Sequence, residues 1–376
     1  NTNAIALASD GTCTANITNR TNKNLILNGA MTIAQRGVSS TAYGYGSVDR
    51  WRNTQSGISV TPTHSQQTAT SSDTGIWEAG FRKYLRYALP SAGTNSAASW
   101  LSFTQFIEAQ DVASSGWNYT STSDYITVSF WIRASTNQTF YANLGTRDGT
   151  RKRFSFAITA SGNNTWTKIT KTISGHADLQ FDNDAEKGLD LQITVHYGTD
   201  YTGTATLDAW VDNSGTNAYP DYATTWLTAG ASTFDITGVQ LEVSDHATSF
   251  EHRSFGQELA LCQRYYFNIK GNNDDFAGCS GYAVWHDVQW FHILYPVPMR
   301  SQPTYTGTST AARFYSHNVS NDFNLNQLVT NTNTADTSSF KSMRLINNGT
   351  AGSSEDGLGG ELQFQATGTM EFSSEL

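Results

Sequence analysis

The chain has 376 residues, of which 38% are hydrophobic, 12% aromatic and 15% charged, and its formal net charge is −9 at pH 7. This length predicts two domains, or one large β domain with an appendage. Many aromatic residues with few charges argue against a disordered chain, and the negative charge argues against sequence-independent nucleic-acid binding. Since no apolar stretch approaches the ~20 residues of a membrane-spanning helix, we expect no membrane insertion.

The first residues differ from the rest of the chain. Residues 1–22 are rich in Asn and Thr and contain one short apolar run, from Ile5 to Ala8. We interpret residues 1–22 as an extended N-terminal arm.

From Leu25 to about Val243, short runs of strand-forming residues alternate with turns rich in Gly, Asn, Asp and Ser. In the run from Ile126 to Ile132, every second residue is a large apolar one, which is typical of a strand with one buried face. Similar runs cover 140–144, 154–158, 166–173, 189–197, 205–211 and 234–243. About eight strands at this spacing predict an antiparallel jelly-roll β-sandwich over residues 23–253.

One helix interrupts the β pattern. Ser254 and Gln257 have the spacing of a capping box, and Leu259, Cys262 and Tyr266 lie on one helical face. Strand-like runs return at 265–269, 283–294, 312–315, 342–346, 361–366 and 369–373. The predicted fold is therefore all-β, with one connecting helix and a smaller C-terminal β domain over residues 254–376.

Several segments of the sequence resemble a module common in tail-fibre and other virion proteins of marine and environmental bacteriophages. They are NLILNGAM at 24–31, AQRG at 34–37, VDRW at 48–51, DITGVQLE at 235–242, SFEHRSF at 249–255, ELALCQRYY at 258–266 and PVPMR at 296–300. The resemblance implies a carbohydrate-binding-module-like jelly roll in a phage appendage, often trimeric, and hence a location in the virion. The family has no agreed set of functional residues, so none is carried over.

The same segments have a physical interpretation. Arg36, Asp49, Arg50 and Trp51 combine guanidinium groups, a carboxylate and a large ring, which predicts a buried ion pair beneath an aromatic side chain. The segment from Phe250 to Arg253 leads from the last sandwich strand into the helix, so we expect its charged side chains to hold that corner.

Sequence patterns for catalysis and metal binding are weak. The sequence contains no Gly-x-Ser-x-Gly, His-Glu-x-x-His or phosphate loop, so we expect no catalytic residues and no cofactor. Asp182, Asp184 and Glu186 are interpreted as a solvated turn, with a calcium loop as the alternative.

Histidine and cysteine spacings also predict no metal site. His286 and His292 are predicted to lie on the same face of one strand, roughly 20 Å apart, too far for a common metal ion unless the strand bends back. Cys13, Cys262 and Cys279 follow no disulfide or zinc spacing, so we expect three thiols.

One hairpin is densely basic. Arg147, Arg151, Lys152 and Arg153 flank the predicted Asp148-Gly149 turn. A solvated turn explains them, and the alternative is contact with an anionic surface sugar or with the acidic C-terminal unit.

Sugar binding needs exposed aromatic faces beside amide and hydroxyl groups, and two predicted loops supply them. The candidate glycan-binding residues are Trp117, Tyr119, Tyr219, Tyr222 and Trp226. Packing of these rings as loop anchors is the alternative. Trp77, Trp100, Trp131 and Trp166 are predicted to lie in the core or at an interface.

Together with the resemblance, these patterns lead us to expect a non-enzymatic phage virion protein, a tail fibre or receptor-binding subunit that binds host-surface glycans and other virion proteins as a homotrimer. Two alternatives stay open at this point. One is a head fibre, decoration or collar protein that binds only virion proteins, and the other is a polysaccharide-degrading enzyme.

Overall fold

The computed structural model describes residues 5–7, 13–15, 23–213, 218–272, 275–285, 288–307, 312–315, 323–324, 328–330, 338–339, 342–348, 359–364 and 368–376. The first elements, β1 (Ile5–Leu7) and β2 (Cys13–Ala15), pair with each other as antiparallel strands. The other residues of the predicted N-terminal arm lie outside the described ranges.

The central part of the chain is built almost entirely from strands. They are β3 (Ser39–Ser40), β4 (Arg52–Ile58), β5 (Thr63–Thr68), β6 (Lys83–Ala88), β7 (Asn95–Glu108), β8 (Tyr125–Ala134), β9 (Thr139–Thr146), β10 (Lys152–Thr159), β11 (Thr167–Ser174), β12 (Lys187–Tyr197), β13 (Trp210–Asp212) and β14 (Thr233–Val243). Two short helices accompany them, α1 (Ala109–Ala113) and α2 (Thr225–Thr228).

These strands form two six-stranded antiparallel sheets. The front sheet has the order β13-β10-β9-β12-β7-β4, and the back sheet has the order β11-β8-β14-β6-β5-β3. Neighbours in both sheets are mostly distant in sequence, as in a jelly roll. The predicted all-β sandwich is confirmed.

The apolar residues of the alternating runs fill the space between the sheets. Ile126, Val128, Phe130 and Ile132 of β8 are fully buried, and so are the inward residues of β9, β10, β12 and β14. Each large apolar side chain removed from water contributes about 1.5–3 kcal/mol, which makes this shared core the main stabilising term. The period-two pattern identified these strands correctly.

Two predicted strands differ from the structure. The run over 205–211 gives only the short strand β13, because Asp208 takes a left-handed φ of 63° that ends extended backbone. The run over 283–294 contains parts of two strands, β16 (Phe276–Trp285) and β17 (Val288–Leu294), which pair as a hairpin. The prediction of a single strand over this run is therefore wrong, and His286 itself lies outside the described residues.

The segments that carry the family resemblance meet in space. The N-terminal segment lies along β14, where Leu25 N donates to Leu241 O at 2.9 Å and Val239 N donates to Gly29 O at 3.0 Å. Gly238 has a φ of 63° in a β-bulge of β14, and a Cβ there would lie 2.5 Å from the Phe81 ring. This position therefore requires glycine.

The connecting helix α3 (Phe255–Gln263) begins with the predicted capping box. Ser254 Oγ accepts from Gln257 N, and the Gln257 side chain accepts from Ser254 N. Before it, Arg253 Nη2 donates to Asn24 O at 2.6 Å and pairs with Glu251 at 3.1 Å, so this corner is held as expected.

The C-terminal region is also β. Its further strands are β15 (Tyr266–Gly271), β18 (Thr304–Gly307), β19 (Ala312–Tyr315), β20 (Phe323–Asn324), β21 (Leu328–Thr330), β22 (Ser338–Ser339), β23 (Ser342–Asn348), β24 (Gly359–Phe364) and β25 (Gly368–Ser373). β15, β25 and β18 form one sheet, and β16, β17, β19, β20, β21, β23 and β24 belong to another. A second apolar core includes Phe291, Ile293, Leu362, Phe364 and Phe372.

A buried ion pair joins this region to the sandwich. Glu375 binds Arg36 at 3.2 Å and also binds Arg50, and all three side chains are nearly inaccessible. The guanidinium carbons lie 3.4 Å from ring centroids, Arg36 over Tyr266 and Arg50 over Tyr265. The predicted ion pair beneath aromatic rings exists, and its carboxylate comes from Glu375.

Asp49, the carboxylate that the sequence had suggested for this pair, has another role. It accepts from Gln35 N at 2.9 Å and from the Gln35 side-chain amide. Burial raises the pKa of Asp49 to about 6.

Two features bear on partners and thiols. Among the described residues, no helix has the length and apolarity that crossing a bilayer would demand. Cys262 and Cys279 are free and buried, as expected, and burial raises the pKa of the Cys279 thiol to about 12. The side chain of Cys13 lies outside the described part of the structure.

Replacing Glu375 by Ala should destabilise the protein strongly. The variant leaves two buried guanidinium groups without their carboxylate, which costs about 3–5 kcal/mol. The free energy of unfolding in urea measures the loss. Lys171→Ala removes a more exposed ion pair with Asp208 and should cost about 1 kcal/mol or less. Equal stability of Glu375→Ala and the parent protein would contradict the importance of the buried pair.

Candidate functional site

The first pair of predicted glycan-binding rings anchors a loop. Trp117 is buried in the main core, where it contacts Phe181. Tyr119 is half-buried and meets the same Phe181 ring edge-on at 4.9 Å between centroids. Trp117 therefore offers no ring face to a ligand, and glycan contact by Tyr119 stays a prediction.

The second group packs across the outer surface of the front sheet. Tyr219 is fully buried, stacks on Tyr141 at 5.5 Å, and its hydroxyl contacts Thr194 Oγ1 at 3.1 Å. Tyr222 is half-buried and donates its hydroxyl to Thr194 O at 3.1 Å. Tyr222 keeps part of one surface exposed, so glycan contact by this residue also stays a prediction.

Trp226 belongs to the main core. It is fully buried, and its indole N–H donates to Thr233 O at 2.8 Å. The prediction that Trp117, Tyr219 and Trp226 contact a glycan is wrong for this structure, because burial leaves them no ring face. The loops fold back over the sheets, and these rings fill the space beneath them.

A different set of aromatic rings remains accessible on the front sheet. Trp100, Tyr197, Tyr201 and Tyr43, together with Thr54, line a shallow cavity of about 270 Å³. Tyr43 is exposed, and the other three rings are half-buried. We call this surface the aromatic groove.

Strand pairing sets the geometry of the groove. Trp100 of β7 and Tyr197 of β12 are direct cross-strand partners. The register shifts between Thr194 and His196, so that Tyr197 points to the outer face after the inward Val195. Tyr201, from the loop after β12, then meets Trp100 edge-on, with 5.7 Å between ring centroids.

Hydrogen bonds hold the rings in place. Gln192 Nε2 donates to the Tyr197 hydroxyl at 2.6 Å and to Ser102 Oγ at 3.0 Å. Arg52 donates to the Tyr43 hydroxyl at 2.8 Å and lies 4.9 Å from the centroid of that ring. The indole N–H of Trp100 has no acceptor among the residues that the structure describes. The groove thus joins rigid ring faces with an available donor.

The surroundings of the groove are nearly uncharged at neutral pH. His196 lies behind it, against Tyr222, and burial lowers its pKa to about 4. Burial also raises the pKa of the Tyr197 hydroxyl. The guanidinium of Arg52 contacts the groove through its hydrogen bond to the Tyr43 hydroxyl. Such a surface suits a neutral, hydroxyl-rich ligand.

The basic hairpin is largely neutralised by the protein itself. Arg147 binds the buried Asp190, Lys152 binds Asp178 and Asp212 at 2.9 and 2.7 Å, and Arg153 donates to Asn213 at 2.6 Å. Three of the four basic side chains thus have partners within the protein, and both the solvated turn and the contact with an anionic sugar stay predictions.

The acidic turn also binds protein groups. Asp184 accepts from Glu186 N at 2.9 Å, and Glu186 pairs with Arg300 at 3.0 Å. The described residues contain no cluster of three or more possible metal ligands.

Two larger cavities flank α3. Their volumes are about 440 and 670 Å³, and both include Arg253 and Leu261 in their lining. Arg253 is bound by Glu251 and Glu258, at 3.1 and 3.5 Å. Neither cavity presents clustered aromatic faces, so the aromatic groove is the better candidate for sugar binding.

The sequence contained a signal for the groove. In an extended strand Trp100 lies on the same face as Ser102 and Thr104, whereas Leu101 and Phe103 lie on the opposite face and point into the core. The prediction that placed Trp100 in the core or at an interface did not take this alternation of faces into account. Trp166 is buried, while Trp77 and Trp131 are half-exposed.

Comparison with known proteins gives matches among solved structures. No protein-family model and no curated protein matches the chain. The enzymatically active domain of tailspike protein 4 of bacteriophage CBA120 is similar over 59% of this chain and 22% of that chain, with 12% identity and a TM-score of 0.32. This chain thus spans about a fifth of the tailspike chain.

For two further solved structures, the match extends over nearly the whole length of the other protein. A putative sugar binding protein from Bacteroides thetaiotaomicron matches 59% of this chain and 100% of its own, at 9% identity and a TM-score of 0.31. The family 11 carbohydrate-binding module of a Clostridium thermocellum cellulosomal cellulase matches 57% and 98%, at 9% identity and a TM-score of 0.27. At these TM-scores the likenesses have no bearing on what this chain binds.

Substitutions should separate the buried rings from the groove. Trp226→Ala opens a core cavity and should lower the free energy of unfolding by about 3–5 kcal/mol. Trp100→Ala removes a half-exposed ring and should cost about 1 kcal/mol or less. Urea unfolding of both variants measures the difference, and equal losses would show that Trp100 is also a core residue.

Proposed function

We propose that this chain is a non-enzymatic phage virion protein, a tail fibre or receptor-binding subunit, that adheres to host-surface glycans through the aromatic groove. The observation that carries the glycan-binding part is the cross-strand pair of Trp100 and Tyr197, with Tyr201 beside it. The sequence resemblance supports the virion part.

The chemistry of the groove favours a sugar ring. A pyranose presents a face of C–H groups that packs on an aromatic ring, and its hydroxyl groups exchange hydrogen bonds with amides and hydroxyls. The groove supplies the indole and phenol faces, the Trp100 N–H and the hydroxyl of Tyr201. Its volume of about 270 Å³ suits a short stretch of a glycan chain.

Shortening the groove rings should weaken glycan binding. Screening the purified protein on a glycan array identifies the ligand, and titration calorimetry gives its affinity. Trp100→Ala and Tyr201→Ala should each reduce affinity about tenfold or more, or roughly 1.4 kcal/mol, with little change in stability. Trp77→Ala is the control, because Trp77 is half-exposed but lies outside the groove.

Other outcomes distinguish the alternatives. Unchanged affinity in both groove variants would remove the groove as the site. Absence of any glycan ligand, with labelling of intact particles at the head or collar, would favour a protein that binds only other virion proteins. Release of oligosaccharide from host envelope material would favour a polysaccharide-degrading enzyme.

We also propose that the protein assembles as a homotrimer. Both sheets have edge strands, and large apolar side chains are exposed at Phe255 (65%) and Leu294 (70%). Association buries such edges and side chains. Light scattering at micromolar concentration should report three times the mass of the chain. A monomer at that concentration would contradict this assembly.

A further inference from the structure

A second cavity lies on the outer surface of the back sheet. Its volume is about 300 Å³, and its lining includes Trp131, Lys168, Ser249, Phe250 and His252. We call it the tryptophan–lysine pocket. It uses no residue of the aromatic groove, because the two surfaces belong to opposite sheets of the sandwich.

Strand pairing places the two central side chains together. Trp131 of β8 and Lys168 of β11 are direct cross-strand partners. Their neighbours Phe130 and Ile132 point into the core, so Trp131 lies on the outer face. Side chains in such a pair have Cβ atoms about 5 Å apart, which brings the ammonium group and the indole to one ligand.

The indole is clamped along one edge. Gly75 has a φ of 90°, and a Cβ at that position would lie 2.8 Å from the Cζ3 atom of Trp131. Only glycine allows the segment after Asp73 to approach this closely. The ring is therefore held in a fixed orientation while it lines the cavity.

Two of the polar groups at the pocket are not used by the protein. Neither the Lys168 ammonium nor the Trp131 indole N–H has a hydrogen-bond or ion-pair partner within the described ranges. By contrast, Lys171 on the same strand binds Asp208 at 2.7 Å. An unpaired cation beside an ordered ring is a feature that the nearly uncharged aromatic groove lacks.

The other groups around the pocket leave this cation uncompensated. His252 Nε2 is 3.0 Å from Ala79 O, so it donates to that carbonyl, and the imidazole brings no negative charge. Glu242, the nearby carboxylate of β14, accepts from Thr248 N at 2.8 Å and from its hydroxyl at 2.6 Å. No Asp or Glu lines the cavity. The pocket therefore favours an anion.

We propose that the tryptophan–lysine pocket is a second carbohydrate-binding site, and that it takes an acidic sugar of the uronic acid class. The sugar ring packs on Trp131, its carboxylate pairs with Lys168, and its hydroxyl groups reach Ser249 and the Trp131 N–H. This site extends the proposed function and does not depend on the aromatic groove.

The test uses a matched pair of ligands. Titration calorimetry at low salt compares tetragalacturonate and tetramannuronate with their methyl esters, which keep the sugar and remove the charge. The parent protein should bind at least one acid about tenfold or more tightly than its ester, because a hydrogen bond to an ionised carboxylate is lost in the ester. Rising salt should reduce that preference.

Variants locate the effect. Lys168→Gln should abolish the preference for the acid, and Trp131→Leu should weaken binding of both forms. Lys171→Gln removes a cation from the same strand outside the pocket and should keep the preference. Lys168→Gln changes only an exposed side chain, so it remains informative if Trp131→Leu fails to fold. Trp100→Ala, which impairs the aromatic groove, should leave acidic-sugar binding unchanged.

Several outcomes would overturn the proposal. They are no binding of either acid, equal affinity for acid and ester, equal losses in Lys168→Gln and Lys171→Gln, or displacement of the oligosaccharide by acetate at comparable concentration. The last result would mean that the pocket holds a simple anion and does not recognise a sugar. If Trp100→Ala abolishes binding of the acids while Lys168→Gln does not, the ligand occupies the aromatic groove.

Discussion

The pairing of Glu375 with two buried guanidinium groups is the constraint on which the arrangement of the chain depends. Charges removed from water are costly unless they are paired and further hydrogen-bonded. Here Arg50 also donates to Phe106 O at 2.7 Å, and both guanidinium groups lie against tyrosine rings. A second ion pair lies nearby and joins Arg264 to the fully buried Glu108 at 2.8 Å. Tyr265 links the two pairs, because its ring packs against Arg50 and its hydroxyl donates to Glu108. Displacing the C-terminal region would leave charges of both signs buried without partners.

This junction also orients the proposed binding surface. Strand β7 ends at Glu108 in the junction and passes through Trp100 in the aromatic groove. Eight residues of strand separate the two positions by roughly 26 Å, at about 3.3 Å per residue. The same strand thus connects the attachment of the C-terminal region to the groove, and the groove lies at the far end. Trp100 is therefore remote from the Glu108 end of the junction, whereas Tyr45, two residues after the groove residue Tyr43, donates its hydroxyl to Leu376 O at 3.0 Å.

The sequence predicted what depends on local alternation and missed what depends on distant contacts. The prediction of which residues point inward was correct for β8, β10 and β12, because a period-two pattern of apolar residues reports burial directly. Strand β7 alternates too, with Leu101 and Phe103 inward and Trp100 on the outer face, although Ser102 and Thr104 on that face are also buried. The rings of Tyr219 and Trp226 looked exposed because loops usually run over the surface, yet these loops fold back onto the sheets. The carboxylate that pairs with Arg50 lies 325 residues away, and no spacing rule could identify it.

The aromatic groove and the tryptophan–lysine pocket lie on opposite sheets and differ in chemistry. If both bind sugars, their placement limits the shape of a ligand that one chain can bind at both sites. The sheets of a sandwich pack roughly 10 Å apart, and the side chains on both outer faces add to that thickness. One flat surface cannot contact both outer faces at once, whereas a flexible polysaccharide that surrounds the protein can. If three chains assemble, each such polymer meets several sites at high effective concentration, and weak individual sites then sum to firm adhesion. If both proposed sites bind sugars, a branched, partly acidic polysaccharide is the kind of ligand that this arrangement would fit best.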